Sequence, residues 1–243
     1  MNIDGILERY LKSLLNGDRK NCRAAIEETL QCGIPANSVY ADIIWPIMVE
    51  IENLFRADRI SPAQEHLATR INRTIVDQLQ NKLPRRSVRN KKVVICCAEL
   101  EIQELGAQIT ADLFESDGWE VRFLGGGLNS NDILEFVHEY TPDLLLIYGT
   151  SPKQAPGIRK LIDEIRTINA MPDMRIMLSG GIFNRAEGLC EEIGGDIFAA
   201  TAIEAVQIAS EDRPIEPYEN RTINRRKKRR QKMMAEPQEN TAL

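Results

Sequence analysis

From residue 92 onward the chain alternates short apolar runs, broken only by Arg122 in the second, with amphipathic stretches, and this alternation limits its fold more than any other feature. The apolar runs fall at 93–98, 121–124, 144–148, 176–178 and 197–200. Helical stretches lie between and after them, near 104–116, 130–140, 155–168, 184–193 and 202–209. A strand with one wet face alternates apolar and polar residues. Runs that are apolar throughout belong to strands covered on both faces, which predicts a parallel sheet between helical layers. Right-handed crossovers then favour an α/β, flavodoxin-like five-stranded sheet.

The first 83 residues carry no strand signal. Ile3, Ile6, Leu7, Tyr10, Leu11 and Leu14 recur at steps of three and four, as on one face of a helix. A second helix runs to about Leu30. Ser38 is read as the cap of a third that reaches toward Phe55, with Pro46 as a possible kink. Ser61-Pro62-Ala63-Gln64 opens a fourth with a capping serine, a first-turn proline and a glutamine three residues after the cap. The expected organisation is therefore a four-helix bundle over 1–83, a linker over 84–91 and the α/β domain over 92–210. A basic tail without apolar periodicity, read as disordered, follows over 211–243.

The net charge of −5 conceals a division: residues 1–220 sum to −11 and residues 221–243 to +6. The run Arg225–Arg230 makes the segment 221–232 a candidate contact for nucleic acid or an acidic protein. The start of the chain lacks the pattern of a signal peptide, and no apolar run approaches the length of a membrane span. Five scattered cysteines without metal-type spacing suit a reducing, cytoplasmic setting. A homo-oligomer is compatible with the sequence.

In an open parallel sheet, ligands bind beyond the carboxyl ends of the strands. That rule selects the loops 99–106, 125–129, 148–151, 179–183 and 199–201. Small residues gather there, with Gly125-Gly126-Gly127 and Gly180-Gly181 able to admit a ligand close to the backbone. No phosphate-loop lysine, Gly-x-Ser-x-Gly frame or zinc spacing accompanies them.

The loop Glu101-Ile102-Gln103-Glu104-Leu105-Gly106 resembles the Asp/Glu-x-His-x-x-Gly loop of cobalamin-binding domains. The segments Gly118–Gly125, Ser179-Gly180-Gly181 and Ile193–Asp196 follow in the order of that family. In the helical part, Gln64-Glu65-His66 is similar to the Gln-Glu-His stretch of the cap in methionine-synthase-like modules and cobalamin-dependent light-sensing regulators. The resemblance spans about residues 3–210. It implies a corrinoid held between cap and α/β domain, with Phe55, Glu65, His66, Glu101, Gln103, Gly106, Gly125, Tyr148, Thr150, Gly180 and Gly181 as cofactor-binding positions.

Three positions depart from the family pattern. The histidine that can ligate cobalt from below is Gln103, so no protein metal ligand is expected and bound cobalamin should keep its own base on cobalt. The tryptophan over the upper corrin face is Phe55, followed by Arg56 rather than histidine. The Ser-x-Leu/Thr element that contacts the buried base is Tyr148-Gly149-Thr150, and the tyrosine fills volume which that base would need. Of the two histidines, His138 is read as an ordinary helix residue, and His66 as either a cofactor contact or a buried, hydrogen-bonded side chain.

The resemblance leaves three functions open. The leading expectation is a cobalamin-binding sensory or regulatory protein without catalytic activity of its own. The alternatives are a corrinoid methyl carrier serving a methyltransferase and a scaffold that has lost the cofactor.

Overall fold

The structure is a computed structural model that describes residues 3–99 and 101–211. The basic segment 221–232 lies outside the described residues. The described residues divide into two compact units, one comprising 3–90 with 103–121, the other 91–99 and 101–102 with 122–211.

The sheet comprises the strands β1 (Lys92–Cys97), β2 (Glu120–Gly125), β3 (Leu144–Tyr148), β4 (Arg175–Ser179) and β5 (Ile197–Ala199). Their order is β2-β1-β3-β4-β5, the flavodoxin-like order expected from the sequence. The parallel register sets Cys97 beside Tyr148 and Tyr148 beside Ser179. Side chains alternate across the sheet. One face, carrying Val94, Cys96, Leu145, Ile147, Ile176 and Leu178, packs in a core with residues of α7 (Ser130–Tyr140) and α8 (Ala155–Ile168). The single helix expected over 184–193 is instead α9 (Gly181–Arg185) and α10 (Leu189–Glu192), interrupted at Gly188, whose φ is +79°. Helix α11 (Ala202–Ser210) follows β5.

In the first unit, α1 (Ile3–Leu15) and α2 (Arg19–Gln31) form a hairpin, with Asp18 accepting from Asn21 N at 3.0 Å as the N-cap of α2. The third helix differs from expectation. It starts at Ala36 after Pro35, without a side-chain cap, so Ser38 lies inside its first turn. Its course runs through α3 (Ala36–Val39), a π turn at Tyr40–Ile44 and α4 (Trp45–Arg56). Pro46 lacks the amide a regular helix would use there, and the wider turn just before it accommodates the proline without ending the helix. Helix α5 (Pro62–Gln80) carries the complete capping box, with Gln64 N donating to Ser61 Oγ at 3.2 Å and Ser61 N to Gln64 Oε1 at 3.0 Å.

Helix α6 (Leu105–Ser116) completes the unit. The basic stretch before β1 is fastened to its end. Arg86 N donates to Ser116 O at 2.9 Å, and Arg89 N to Gly118 O at 2.8 Å. Asp117 meets Arg86 and Arg89, each at 2.7 Å. Gly118, at φ +91°, is required here, because a Cβ would stand 2.1 Å from the Ser87 carbonyl oxygen.

Candidate functional site

In the α/β unit, the loop after β1 turns back sharply, with Glu101 N donating to Ala98 O at 2.8 Å. This places Glu101, only 4% exposed, against the loop after β3. Its Oε2 accepts from Thr150 N and from Thr150 Oγ1, both at 2.7 Å. Short bonds onto a carboxylate are charge-assisted and strongly orienting.

Two residues not singled out in the sequence hold Thr150 from the other side. Buried Gln154 receives the amides of Thr150 at 3.1 Å and Ser151 at 3.0 Å on its Oε1, and Arg185 of α9 donates to the Thr150 carbonyl. A signal for Gln154 was present, since Ser151-Pro152-Lys153-Gln154 repeats the pattern of Ser61-Pro62-Ala63-Gln64 and forms a second capping box. Nothing local announces Arg185, whose contact crosses from the helix after β4 to the loop after β3.

The loops after β4 and β5 join the same edge. Gly149 N donates to Ser179 O at 3.0 Å, Ser179 Oγ to Ala199 O at 2.9 Å and Asn184 Nδ2 to Ala200 O at 3.1 Å. Gly180 stands at φ +106°, and a Cβ there would come within 2.3 Å of Gly149 O. Only glycine allows this approach. Gly181 opens α9, Gly125 ends β2, and Tyr148 is buried at 5% exposure. A cleft of about 80 Å³ lies beside β1 and β3, lined in part by Ser130, Ile133, Lys153, Gln154 and Gly157. Ile102, at the end of the β1 loop, is 84% exposed.

The helical unit brings together a second set. Glu65 and His66 are neighbours on α5, about 100° apart around the helix axis, and they separate accordingly. Glu65 is buried at 8% exposure, whereas the His66 side chain is 66% exposed. The reading of His66 as a buried histidine is therefore incorrect: the helix turns the carboxylate inward and the ring outward. Glu65 Oε1 accepts from Thr69 Oγ1 at 3.1 Å and from Gln103 Nε2 at 3.3 Å, and the His66 ring lies 3.7 Å from Oε2. Phe55 is half-buried at the end of α4, and Arg56 pairs with Glu52 at 2.9 Å. Gly106 is buried in the first turn of α6, where its carbonyl accepts from Thr110 Oγ1 at 2.7 Å. His138 is exposed on α7.

This arrangement answers which features of a corrinoid the residues fit. The glycine approach at Gly180, the laced strand ends and exposed Ile102 suit a large, flat, partly apolar ligand at the carboxyl edge. Protein ligation of cobalt at position 103 does not fit. Gln103 offers an amide N–H that donates to a carboxylate, and an amide nitrogen has no lone pair comparable to that of imidazole. The cleft beside β1 and β3 holds about 80 Å³, roughly half the ~150 Å³ of an engineered apolar cavity that takes up benzene, so it offers no ready-made room for a benzimidazole base. Among the described residues there is no cluster of three or more His, Cys, Asp or Glu able to hold a metal ion, and no helix long and apolar enough to cross a membrane.

Comparison with known proteins bears on the same two regions. Residues 6–80 and 91–209 each match a family model described as a B12 binding domain. The chain is 21% identical to monomethylamine corrinoid protein 2 of Methanosarcina acetivorans, over 84% of this chain and 95% of the relative. It is likewise 21% identical to dimethylamine corrinoid protein 3 of the same organism, over 86% of this chain and 98% of the relative. The solved monomethylamine corrinoid protein of Methanosarcina barkeri shares the fold, with a TM-score of 0.73 at 19% identity, over 85% of this chain and 97% of that one. With a helical and an α/β B12 binding domain matched in sequence order, this chain belongs to the cobalamin-binding protein family, and its cofactor is a corrinoid.

Proposed function

We propose that this chain is the corrinoid-carrying component of a methyl-transfer system and works with a separate methyltransferase. The observation that carries this reading is similarity along nearly the whole length of two methylamine corrinoid proteins, 95% and 98% of which are covered. It favours the carrier over the sensory protein that the sequence first suggested. A bound corrinoid supplies a cobalt centre that accepts and releases a methyl group.

The chain's own residues hold and orient. Glu101, Thr150, Gln154 and Arg185 fix the loops after β1 and β3, and Gly180 lets a ligand reach the backbone at the end of β4. Ile102 offers an apolar contact for the macrocycle. With Gln103 in place of the loop histidine, the chain would offer cobalt no imidazole at that position, and a bound cobalamin would keep its own base.

Titration of the pure protein with hydroxo-, methyl- and adenosylcobalamin, followed by gel filtration, tests binding. Co-elution with a base-on absorption spectrum is expected. A spectrum of histidine coordination would overturn the assignment at Gln103, and no co-eluting colour with any of the three would favour the scaffold. Gln103→His should convert the spectrum toward protein ligation. The carrier role is tested by methyl transfer from the methylcobalamin-loaded protein with an added methyltransferase and acceptor. A light-dependent change of oligomeric state with adenosylcobalamin, without methyl transfer, would restore the sensory reading.

A further inference from the structure

In the helical unit, Tyr40 of the π turn is wholly buried, and its hydroxyl has two oxygen neighbours at the same distance. One is the Val76 carbonyl on α5 at 2.9 Å, and the other is Asp112 Oδ2 on α6, also at 2.9 Å. A phenol has one proton to donate. Were Asp112 ionised, only one of these contacts could be a hydrogen bond, and the other would press two oxygen acceptors together in a water-poor core. Were Asp112 protonated, its hydroxyl would donate to the Tyr40 oxygen and Tyr40 would donate to Val76. Every group is then satisfied by a single directed chain.

We propose that Asp112 is an uncharged carboxylic acid that clasps α6 to the π turn and α5, and that its ionisation opens this clasp as pH rises. The surroundings agree with the geometry. Asp112 is 5% exposed. The ionisable groups acting on it include Asp77 from α5 and Glu115 from its own helix, both of which oppose a second negative charge. Asp77 accepts from Gln108 at 2.6 Å, and Glu115 pairs with Arg85 at 2.9 Å. A hydrogen bond from Gln80 on α5, and one from Tyr40 were its proton turned away from Val76, would favour the charged form, but burial is the largest influence, and the carboxyl is pushed up from 3.8 to about 7. Burial likewise holds the Tyr40 phenol protonated, well above its ordinary value.

The direction follows from linkage. The folded state holds its proton more tightly than the unfolded chain, so the stabilisation is complete below the ordinary carboxyl range and is lost as pH rises through about 7. Helix α6 begins at Leu105, two residues after Gln103, so the clasp restrains the helix that leads directly out of the β1 loop.

The test uses the corrinoid-free full chain and does not depend on the carrier reading. Its melting temperature, followed from pH 5 to pH 8, is expected to fall by roughly 5 °C more than that of Asp112→Asn, in which a neutral amide donates to Tyr40. The infrared spectrum of the wild type at pH 5.5 should contain a protonated-carboxyl band that the variant lacks. Parallel pH profiles, or no such band, would overturn the proposal. Should the variant fail to fold, the backbone-assigned ¹³C carboxyl resonance of Asp112 in the wild type decides: titration near pH 7 supports the clasp, and an ionised signal down to pH 4.5 refutes it.

Discussion

In the α/β unit, Leu144, Leu145, Leu146 and Ile147 are each 0% exposed, and the polar bonds that position the candidate site lie at the carboxyl ends of the strands. In the helical unit, polar groups sit within the core. Tyr10 donates to Asn72 at 2.7 Å between α1 and α5, and Tyr40 meets Val76 and Asp112. A sheet satisfies its backbone by pairing and can leave its interior purely apolar, so polar chemistry moves to its edge. A helix bundle has no ladder between its elements, and buried hydrogen bonds can fix which helix faces which. The two regions should therefore fail differently when they are damaged.

The largest loss is expected from the apolar interior. Leu146→Ala should lower stability by about 4 kcal/mol in denaturant unfolding, since a central strand has little freedom to collapse around the void. Tyr10→Phe removes one oxygen and almost no volume. It should nonetheless cost about 2 kcal/mol, because it strands Asn72 Oδ1 beside an Nδ2 that has no partner among the described residues. If Tyr10→Phe is neutral, the buried polar pair is not what orders the bundle, and the contrast between the two regions weakens.

The smallest effect compares two boxes of the same spelling. Gln64→Ala and Gln154→Ala should each cost about 1 kcal/mol or less through the cap alone. Gln154 should cost more, since its oxygen also receives the Thr150 amide and its side chain is buried. Thermal melts of the two variants make the comparison directly, and equal shifts would mean that Gln154 does no more than cap.

The sheet was legible because fully covered strands must be apolar along their whole length, so 93–98 and 144–148 could hardly be anything else. The strand ends carried an equally clear signal in their glycines, and the capping serine at Ser61 announced its helix. Features made through space were not legible. The π turn answers a steric demand of Pro46 that no periodicity records, and Asp112 lies 72 residues from the tyrosine that explains it. The inward turn of Glu65 instead of His66 depends on the rotation of α5, which spacing fixes only as a separation of the two. Pairing of Glu101 with Thr150 was likewise hidden: each position stood out alone, but only the register of β1 with β3 makes them neighbours.

The stretch Pro84–Asn90 has a further consequence for anyone wishing to divide the molecule. Its three arginines read as an open invitation to trypsin, yet the Arg86 and Arg89 amides are engaged, and all three side chains are paired with acidic residues at positions 115 and 117. A protease needs several residues free to straighten into its cleft, and this segment must first peel away from Gly118. Cleavage there should be slow in the native protein. Fragments expressed separately on either side of it would each lose part of a joint that their sequences give no reason to suspect.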